Sequence, residues 1–300
     1  MMQGLRRRSA AWALVAALAA GWPAAVTDEG PARAARAEEP ALPADLPVYR
    51  VDAEAFEARE ADIRGVLDSV SRELWRFFPD HEIEPIVVLR GDGPPITLFQ
   101  RNELGEIVIR LNTGRMFWSQ YAYQYAHELC HVLCAAGPGY QGNRWFEETL
   151  CETASLFAMR AMARTWKHTP PFANWRDYRD SLRDYTDEIL RGRERVHEIF
   201  AVGLPAFYRG HRAELERDPG GRELNGAMAV VFLQFFEEDP ARWESVRWLN
   251  ATRPRDGDSF QTYLQNWHDA VPAKHRPFVT LVADLYAMPI RTAAGDEPTP

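Results

Sequence analysis

One nine-residue stretch, Tyr125-Ala-His-Glu-Leu-Cys-His-Val-Leu133, constrains the fold of this chain more than any other. It contains the array H-E-x-x-H, with histidines at His127 and His131 and an acid at Glu128. Residues four apart on a helix lie one above the other on the same face, so both imidazoles can reach a single ion. Glu128 lies one position further round and would face a water molecule bound to that ion. The array therefore predicts a buried helix that provides two ligands of a zinc site.

A third ligand is expected from the next helix, which follows a glycine-rich break at residues 137–142. Three acids compete for this role: Glu147, Glu148 and Glu152. Glu148 and Glu152 share a helix face, whereas Glu147 is turned by about 100° from Glu148. One carboxylate of such a pair can bind the metal while the other accepts the N–H of a ligating histidine. We assign Glu148 to the metal and Glu152 to the histidine, and the reverse assignment stays open. Glu147 is expected in solvent or at a free N–H of the first helical turn.

These residues resemble the gluzincin metallopeptidases, which include thermolysin and the zinc aminopeptidases. Trp145-Phe-Glu-Glu148 and the residues after it are similar to the Trp-x-x-Glu-Gly-x-Ala stretch that carries the third zinc ligand of the aminopeptidases. Glu152 holds the position of an acid that supports a zinc histidine in thermolysin. The resemblance covers residues 106–157, and Thr149 stands where glycine is usual. A metzincin would need a third histidine at position 137, which is glycine.

The resemblance implies a zincin-like fold and one Zn²⁺ per chain, bound by His127, His131 and Glu148. It implies a metallopeptidase that acts on a peptide or protein substrate, with Glu128 as the general base. No Gly-x-Met-x-Asn sequence precedes the array, which favours an endopeptidase over an aminopeptidase. A catalytically silent zincin module with a structural zinc is the alternative. Gluzincins often take a Tyr or His from the second lobe as transition-state donor, and the candidates are Tyr178, Tyr185, His197, Tyr208 and His211.

The order of the predicted elements indicates an α+β fold with the array at the junction of two lobes. In residues 48–136 we predict strands at 48–51 and 83–90, a hairpin at 96–100 and 106–112, and helices at 53–78 and 116–136. In residues 137–290 we predict only helices, at 145–167, 174–200, 204–217, 224–237, 240–250, 258–270 and 274–287. The first lobe thus contains a small mixed sheet, and the second lobe is all helical. The strand that ends at Asn112 is expected to line the cleft and to pair with an extended peptide.

Both ends of the chain lie outside the two predicted lobes. Residues 1–25 have the basic start, short apolar run and small residues of a secretory signal peptide, which predicts a periplasmic or extracellular protein. The apolar run is shorter than the roughly 20 residues of a membrane span, so we expect no stable span; an uncleaved anchor is the alternative. Residues 26–47 are predicted to be a disordered tether, and residues 291–300 a frayed tail.

Charge and cysteine content limit the remaining possibilities. A formal net charge of −8 gives no electrostatic basis for nucleic-acid binding. The three cysteines, Cys130, Cys134 and Cys151, are too few for a disulfide scaffold and odd in number. We expect them to be small buried hydrophobic residues, with a Cys134–Cys151 bridge as the alternative. The sequence does not indicate an oligomeric state.

Overall fold

The computed structural model describes residues 46–292, except residues 48, 136, 138–141, 254 and 256. The predicted signal peptide, nearly all of the predicted tether, most of the glycine-rich break and residues 293–300 lie outside the described residues. Among the described residues, none of the helices has the length and apolar character needed to cross a bilayer.

A four-stranded mixed sheet forms the N-terminal part of the fold. Its strands are β1 (Tyr49–Val51), β2 (Ile86–Arg90), β3 (Ile96–Leu98) and β4 (Ile107–Leu111), in the spatial order β1-β2-β4-β3. The first, second and fourth strands are parallel, and β3 runs antiparallel to β4 as the predicted hairpin requires.

The position of β4 corrects one expectation. Both sides of β4 are paired, with β2 on one side and β3 on the other. The prediction that the strand ending at Asn112 would pair with an extended peptide is therefore wrong, because that strand has no free edge. The free edge on this side of the sheet belongs to β3.

Three helices accompany the sheet: α1 (Glu60–Trp75), α2 (Trp118–Leu133) and α3 (Arg144–Thr165). The predicted helix at 53–78 is divided into a short 3₁₀ turn and α1, because Glu57 adopts a left-handed conformation with φ 54° between them. The H-E-x-x-H array lies in the last two turns of α2, and the three competing acids lie in the first half of α3.

The second half of the chain is helical, as predicted. It contains α4 (Tyr178–Arg191), α5 (Val196–Val202), α6 (Leu204–Arg217), α7 (Arg222–Glu238), α8 (Phe260–Ala270) and α9 (Arg276–Leu285), with a 3₁₀ helix at Pro240–Trp248. The predicted helix at 174–200 is two helices, since the chain turns between α4 and α5 around Gly192.

Helix α3 lies in the centre of the described structure and packs against α2, α4 and α7. Sixteen of its 22 residues are buried, which explains why its apolar residues are not confined to one stripe. One continuous hydrophobic core extends from the sheet to the C-terminal helices. The architecture confirms the α+β class, whereas the division into lobes at residue 136 stays a prediction.

Candidate metal centre

Two adjacent helices bring the three predicted metal ligands together. His127 Nε2 of α2 lies 3.1 Å from Glu148 Oε2 of α3, and His131 Nε2 lies 3.6 Å from the same oxygen. Ligands bonded at 2.0–2.1 Å to a tetrahedral zinc ion are about 3.3 Å from one another. The two distances bracket that value, so Glu148 Oε2 lies at ligand spacing from each imidazole; we call the surface formed by these three side chains the metal-binding face. The His127 side chain is 20% exposed and that of His131 only 5%, so the face reaches solvent on the His127 side.

The second nitrogen of each histidine also faces a carboxylate. His131 Nδ1 lies 2.6 Å from Glu147 Oε1, and His127 Nδ1 lies 3.7 Å from Glu152 Oε2. A proton held at Nδ1 by such a partner leaves the lone pair at Nε2 free for a metal. Glu152 thus lies beside His127, one of the predicted ligands.

Glu147 is not in solvent, and that expectation was wrong. The residue is only 5% exposed, and its Oε2 accepts a hydrogen bond of 2.7 Å from Asn250 Nδ2. Asn250 Oδ1 in turn accepts a hydrogen bond of 2.9 Å from the Tyr263 hydroxyl of α8. Burial of a carboxylate is costly unless it is paired, and His131 and Asn250 provide the partners. The sequence contained a signal for this role, because each of two predicted ligand histidines has a second N–H for which a nearby acid is one possible partner.

Glu152 is held by a second buried network. Its Oε1 accepts hydrogen bonds from the Tyr123 hydroxyl of α2 and from Arg193 Nη2, which follows α4. Arg193 also donates to the Arg222 carbonyl oxygen, at 3.0 Å, which joins this network to the start of α7. Gly226 of α7 makes room for the guanidinium, because a Cβ at that position would lie 2.3 Å from Arg193 Cζ. The cation offsets the charge of the buried Glu152 carboxylate.

The predicted general base, Glu128, is fixed by the edge strand. Thr97 Oγ1 of β3 lies 2.9 Å from Glu128 Oε2 and 3.0 Å from the Glu128 carbonyl oxygen. Glu128 is 2% exposed, so this hydroxyl is a donor to a carboxylate that is nearly removed from water. The contact places the edge of the sheet directly beside the H-E-x-x-H array.

Without a metal ion, contacts between the histidines and the carboxylates shift the pKa of Glu148 and the pKa of His131. Burial alone would raise the pKa of Glu148, but its contacts with His127 and His131 outweigh burial and hold that pKa well below its usual range. Burial alone would lower the pKa of His131, but Glu147 and Glu148 outweigh burial and raise it well above its usual range. A proton on His131 therefore takes the place of a cation. A metal ion must displace that proton, so its affinity is expected to fall as the pH is lowered.

Three of the five proposed donors make their contacts elsewhere. Tyr208 is 3% exposed and its ring stacks on Trp145, with centroids 5.3 Å apart. His211 Nε2 lies 2.8 Å from Glu198 Oε1, and His197 is exposed. None of these contacts directs a donor towards the metal-binding face.

The other two donors lie on α4, where they line a cavity of about 570 Å³ between α4 and the start of α2. The Tyr178 hydroxyl lies 3.3 Å from the backbone nitrogen of Ser119. The Tyr185 ring packs edge-on against Tyr123, with centroids 6.1 Å apart, and Tyr123 bonds to Glu152. Tyr185 is therefore linked to the metal-binding face through two contacts. The structure also identifies a cation that the sequence did not indicate, because Arg144 Nε lies 3.2 Å from Glu148 Oε1.

All three cysteines are buried free thiols, as expected, and the alternative Cys134–Cys151 bridge is not formed. The sequence did not indicate how close they lie to the histidines. One ligand atom from each of His127, His131 and Cys151 can be chosen so that all three lie within 4.8 Å of one another. The described residues thus include a group of His and Cys side chains that could hold a metal ion.

No protein-family model, curated protein or solved structure matches this chain. The geometry of the site is therefore the basis for assigning a function.

Proposed function

We propose that the protein is a zinc-dependent metallopeptidase, and specifically an endopeptidase, with a zincin-like core. The observation that carries this proposal is the position of Glu148 Oε2, which lies at ligand spacing from both His127 Nε2 and His131 Nε2, with Glu128 next to His127 in the chain. Three protein ligands leave a fourth position for water, which is the arrangement of catalytic rather than structural zinc sites. The predicted signal peptide would place the activity in the periplasm or outside the cell.

Each of these side chains has its own role in the proposed reaction. Zinc bound at this face would lower the pKa of its water to about 7 and polarise the carbonyl of the substrate. Glu128 would take the proton of the attacking water and pass it to the nitrogen of the leaving amine. Thr97 orients the Glu128 carboxylate for both transfers, since its hydroxyl occupies one oxygen of that carboxylate. Glu147 would keep the proton of His131 at Nδ1, the tautomer that binds metal, and Glu152, 3.7 Å from His127 Nδ1, would need a small approach to do the same for His127.

The edge strand offers a surface for an extended substrate. β3 has a free edge, and Thr97 at its centre touches Glu128, so a peptide paired with this strand would pass close to the general base. Backbone pairing is indifferent to side chains and suits internal segments of a polypeptide. This supports an endopeptidase and moves the expected substrate contact from β4 to β3.

One observation favours the alternative, a silent zincin module with a structural metal. Cys151 Sγ lies within reach of both histidines, and a thiolate from this residue would complete four protein ligands with His127, His131 and Glu148. Structural zinc sites are closed in this way. The alternative therefore requires that Cys151 coordinate the metal.

The two proposals differ in activity and in the spectrum of a cobalt-substituted site. We expect about one zinc per chain, cleavage of peptides in a mixed library, loss of cleavage on chelation and its return with added zinc. The Co²⁺ form of the protein should lack a thiolate-to-cobalt charge-transfer band. A zinc-loaded chain that cleaves no peptide and shows that band would overturn the peptidase proposal and establish the closed site.

Removal of the Glu147 carboxylate is expected to weaken zinc binding by about 10–100-fold, because His131 loses the partner that sets its tautomer. Glu147→Gln is the sharper variant, since it retains the side-chain volume and an oxygen for Asn250. The apparent zinc affinity would be measured by competition with a chromogenic chelator. Glu103→Gln, at an exposed position in the β3–β4 turn, is the matched control. An unchanged affinity in Glu147→Gln would show that the contact with His131 has no role in metal binding.

A further inference from the structure

Three thiols meet in the core next to the histidines. Cys130 lies in the last turn of α2, Cys134 is the residue directly after that helix, and Cys151 comes from α3. Their sulfur atoms all lie within 4.8 Å of one another, and the Cys130 and Cys134 sulfurs are 3.8 Å apart. All three residues are at most 1% exposed.

The spacing of the sulfurs agrees with a metal site. Thiolate–metal bonds are close to 2.3 Å, so three sulfurs in a trigonal arrangement around one ion are about 4.0 Å apart. The observed 3.8 Å between Cys130 and Cys134 is near this value, and the limit of 4.8 Å for the whole group requires only small side-chain movements. Cysteines that served only as small hydrophobic residues could be distributed anywhere along the α2–α3 contact. Here the sulfurs are placed against one another.

We propose that Cys130, Cys134 and Cys151 form a second metal site, for a soft thiophilic ion of the monovalent copper type. Three sulfur ligands without an oxygen ligand select Cu(I) over the hard divalent ions. Zinc in an all-protein site takes four ligands, and the two histidines within reach of Cys151, His127 and His131, already contact Glu148. Binding would exchange thiol protons for the ion, with the protons released to solvent and no electron transferred.

The second site has a consequence for the first. Cys151 belongs to both groups, because its sulfur lies within reach of the two histidines as well as of the other two thiols. An ion held by the three thiols would keep Cys151 away from the histidine site and leave the fourth zinc position open. The copper site itself does not depend on the peptidase proposal, since none of its ligands is Glu128 or Glu148.

The test is a Cu(I) competition titration on the full-length, zinc-loaded protein under anaerobic reducing conditions, with bicinchoninate as the competing chelator. We expect one Cu(I) retained per chain and a sulfur shell at about 2.3 Å in the copper X-ray absorption spectrum. Cys130→Ala/Cys134→Ala should lower the Cu(I) affinity by about 100-fold or more, because two of three ligands are lost. Cys134→Ala alone, with one small cavity, covers the case in which the double variant does not fold. Glu128→Gln is the control and should bind Cu(I) as the unmodified protein does, whatever its peptidase activity.

Four results would overturn the proposal. Copper could pass completely to the chelator, or both cysteine variants could bind it as tightly as the unmodified protein. The absorption spectrum could show nitrogen or oxygen neighbours in place of sulfur. Thiol counting under denaturing conditions could find a disulfide among the three cysteines of the purified protein. Each result leaves the zinc content and peptide cleavage of the first site to be judged separately.

Discussion

Glu128→Gln is expected to remove nearly all peptide cleavage while the zinc content stays at about one ion per chain. A positioned general base contributes roughly 10²- to 10⁴-fold to the rate, and the amide of glutamine cannot take a proton from water. We therefore expect kcat to fall by about 10²- to 10⁴-fold. Zinc should remain, because the atoms at ligand spacing belong to His127, His131 and Glu148. The measurement pairs kcat on a cleaved peptide with metal analysis of the same sample.

The contacts of Glu128 allow this substitution to remove the base and preserve the fold. The contact with Thr97 Oγ1 can be retained by glutamine, whose carbonyl oxygen accepts the same hydrogen bond. The fold and the edge strand should therefore stay in place, and thermal denaturation would verify this. Glu103→Gln makes the same chemical change at an exposed site and should keep full activity. A Glu128→Gln protein that cleaved peptides at the unmodified rate would exclude the proposed mechanism.

The part of the site that local helix geometry controls could be predicted from the sequence. The histidines are four residues apart on one helix, and so are Glu148 and Glu152 on the next, which determines the faces on which they lie. The structure brings Glu148 to both Nε2 atoms and Glu152 to the other side of His127, as expected. The same local reasoning located the motif helices to within two or three residues at each end.

The supporting residues could not be predicted, because they come from distant parts of the chain. Asn250 contacts Glu147 across 103 positions, and Arg193 contacts Glu152 across 41. No periodic pattern links residues at such separations, since they are brought together by the packing of α3 among helices from both halves. The misplacement of Glu147 has the same origin. On the helix alone it faces away from Glu148, and only the docking of α2 places His131 beside it.

The order of the strands in the sheet could not be predicted from the sequence for a similar reason. The alternating pattern predicted the hairpin, and β3 and β4 do pair. The pattern did not predict that β2 would pair with the other edge of β4, because parallel pairing with a distant strand has no local sequence pattern. The consequence is functional: the free edge beside Glu128 is β3, and its Thr97 rather than a residue of β4 is the neighbour of the general base.

Glu148→Ala and Glu152→Ala are expected to separate the metal ligand from its support. Glu148 Oε2 lies close to both Nε2 atoms, so its removal should reduce zinc from about one ion per chain to almost none after dialysis. Glu152 lies 3.7 Å from His127 Nδ1 and is bonded to Arg193, so its removal should leave zinc in place with an affinity about 10- to 100-fold lower.

Metal analysis of the two variants beside the unmodified protein provides the measurement, and chelator competition gives the affinities. Loss of the carboxylate at Glu152 leaves Arg193 without its anionic partner, so Glu152→Gln is the matched variant that removes charge and keeps volume. Zinc retained in Glu148→Ala and lost in both Glu152 variants would reverse the ligand assignment. Zinc retained in Glu148→Ala but lost on further replacement of Cys151 would instead identify the thiol as the third ligand, because Cys151 is the remaining ligand in reach of both histidines among the described residues.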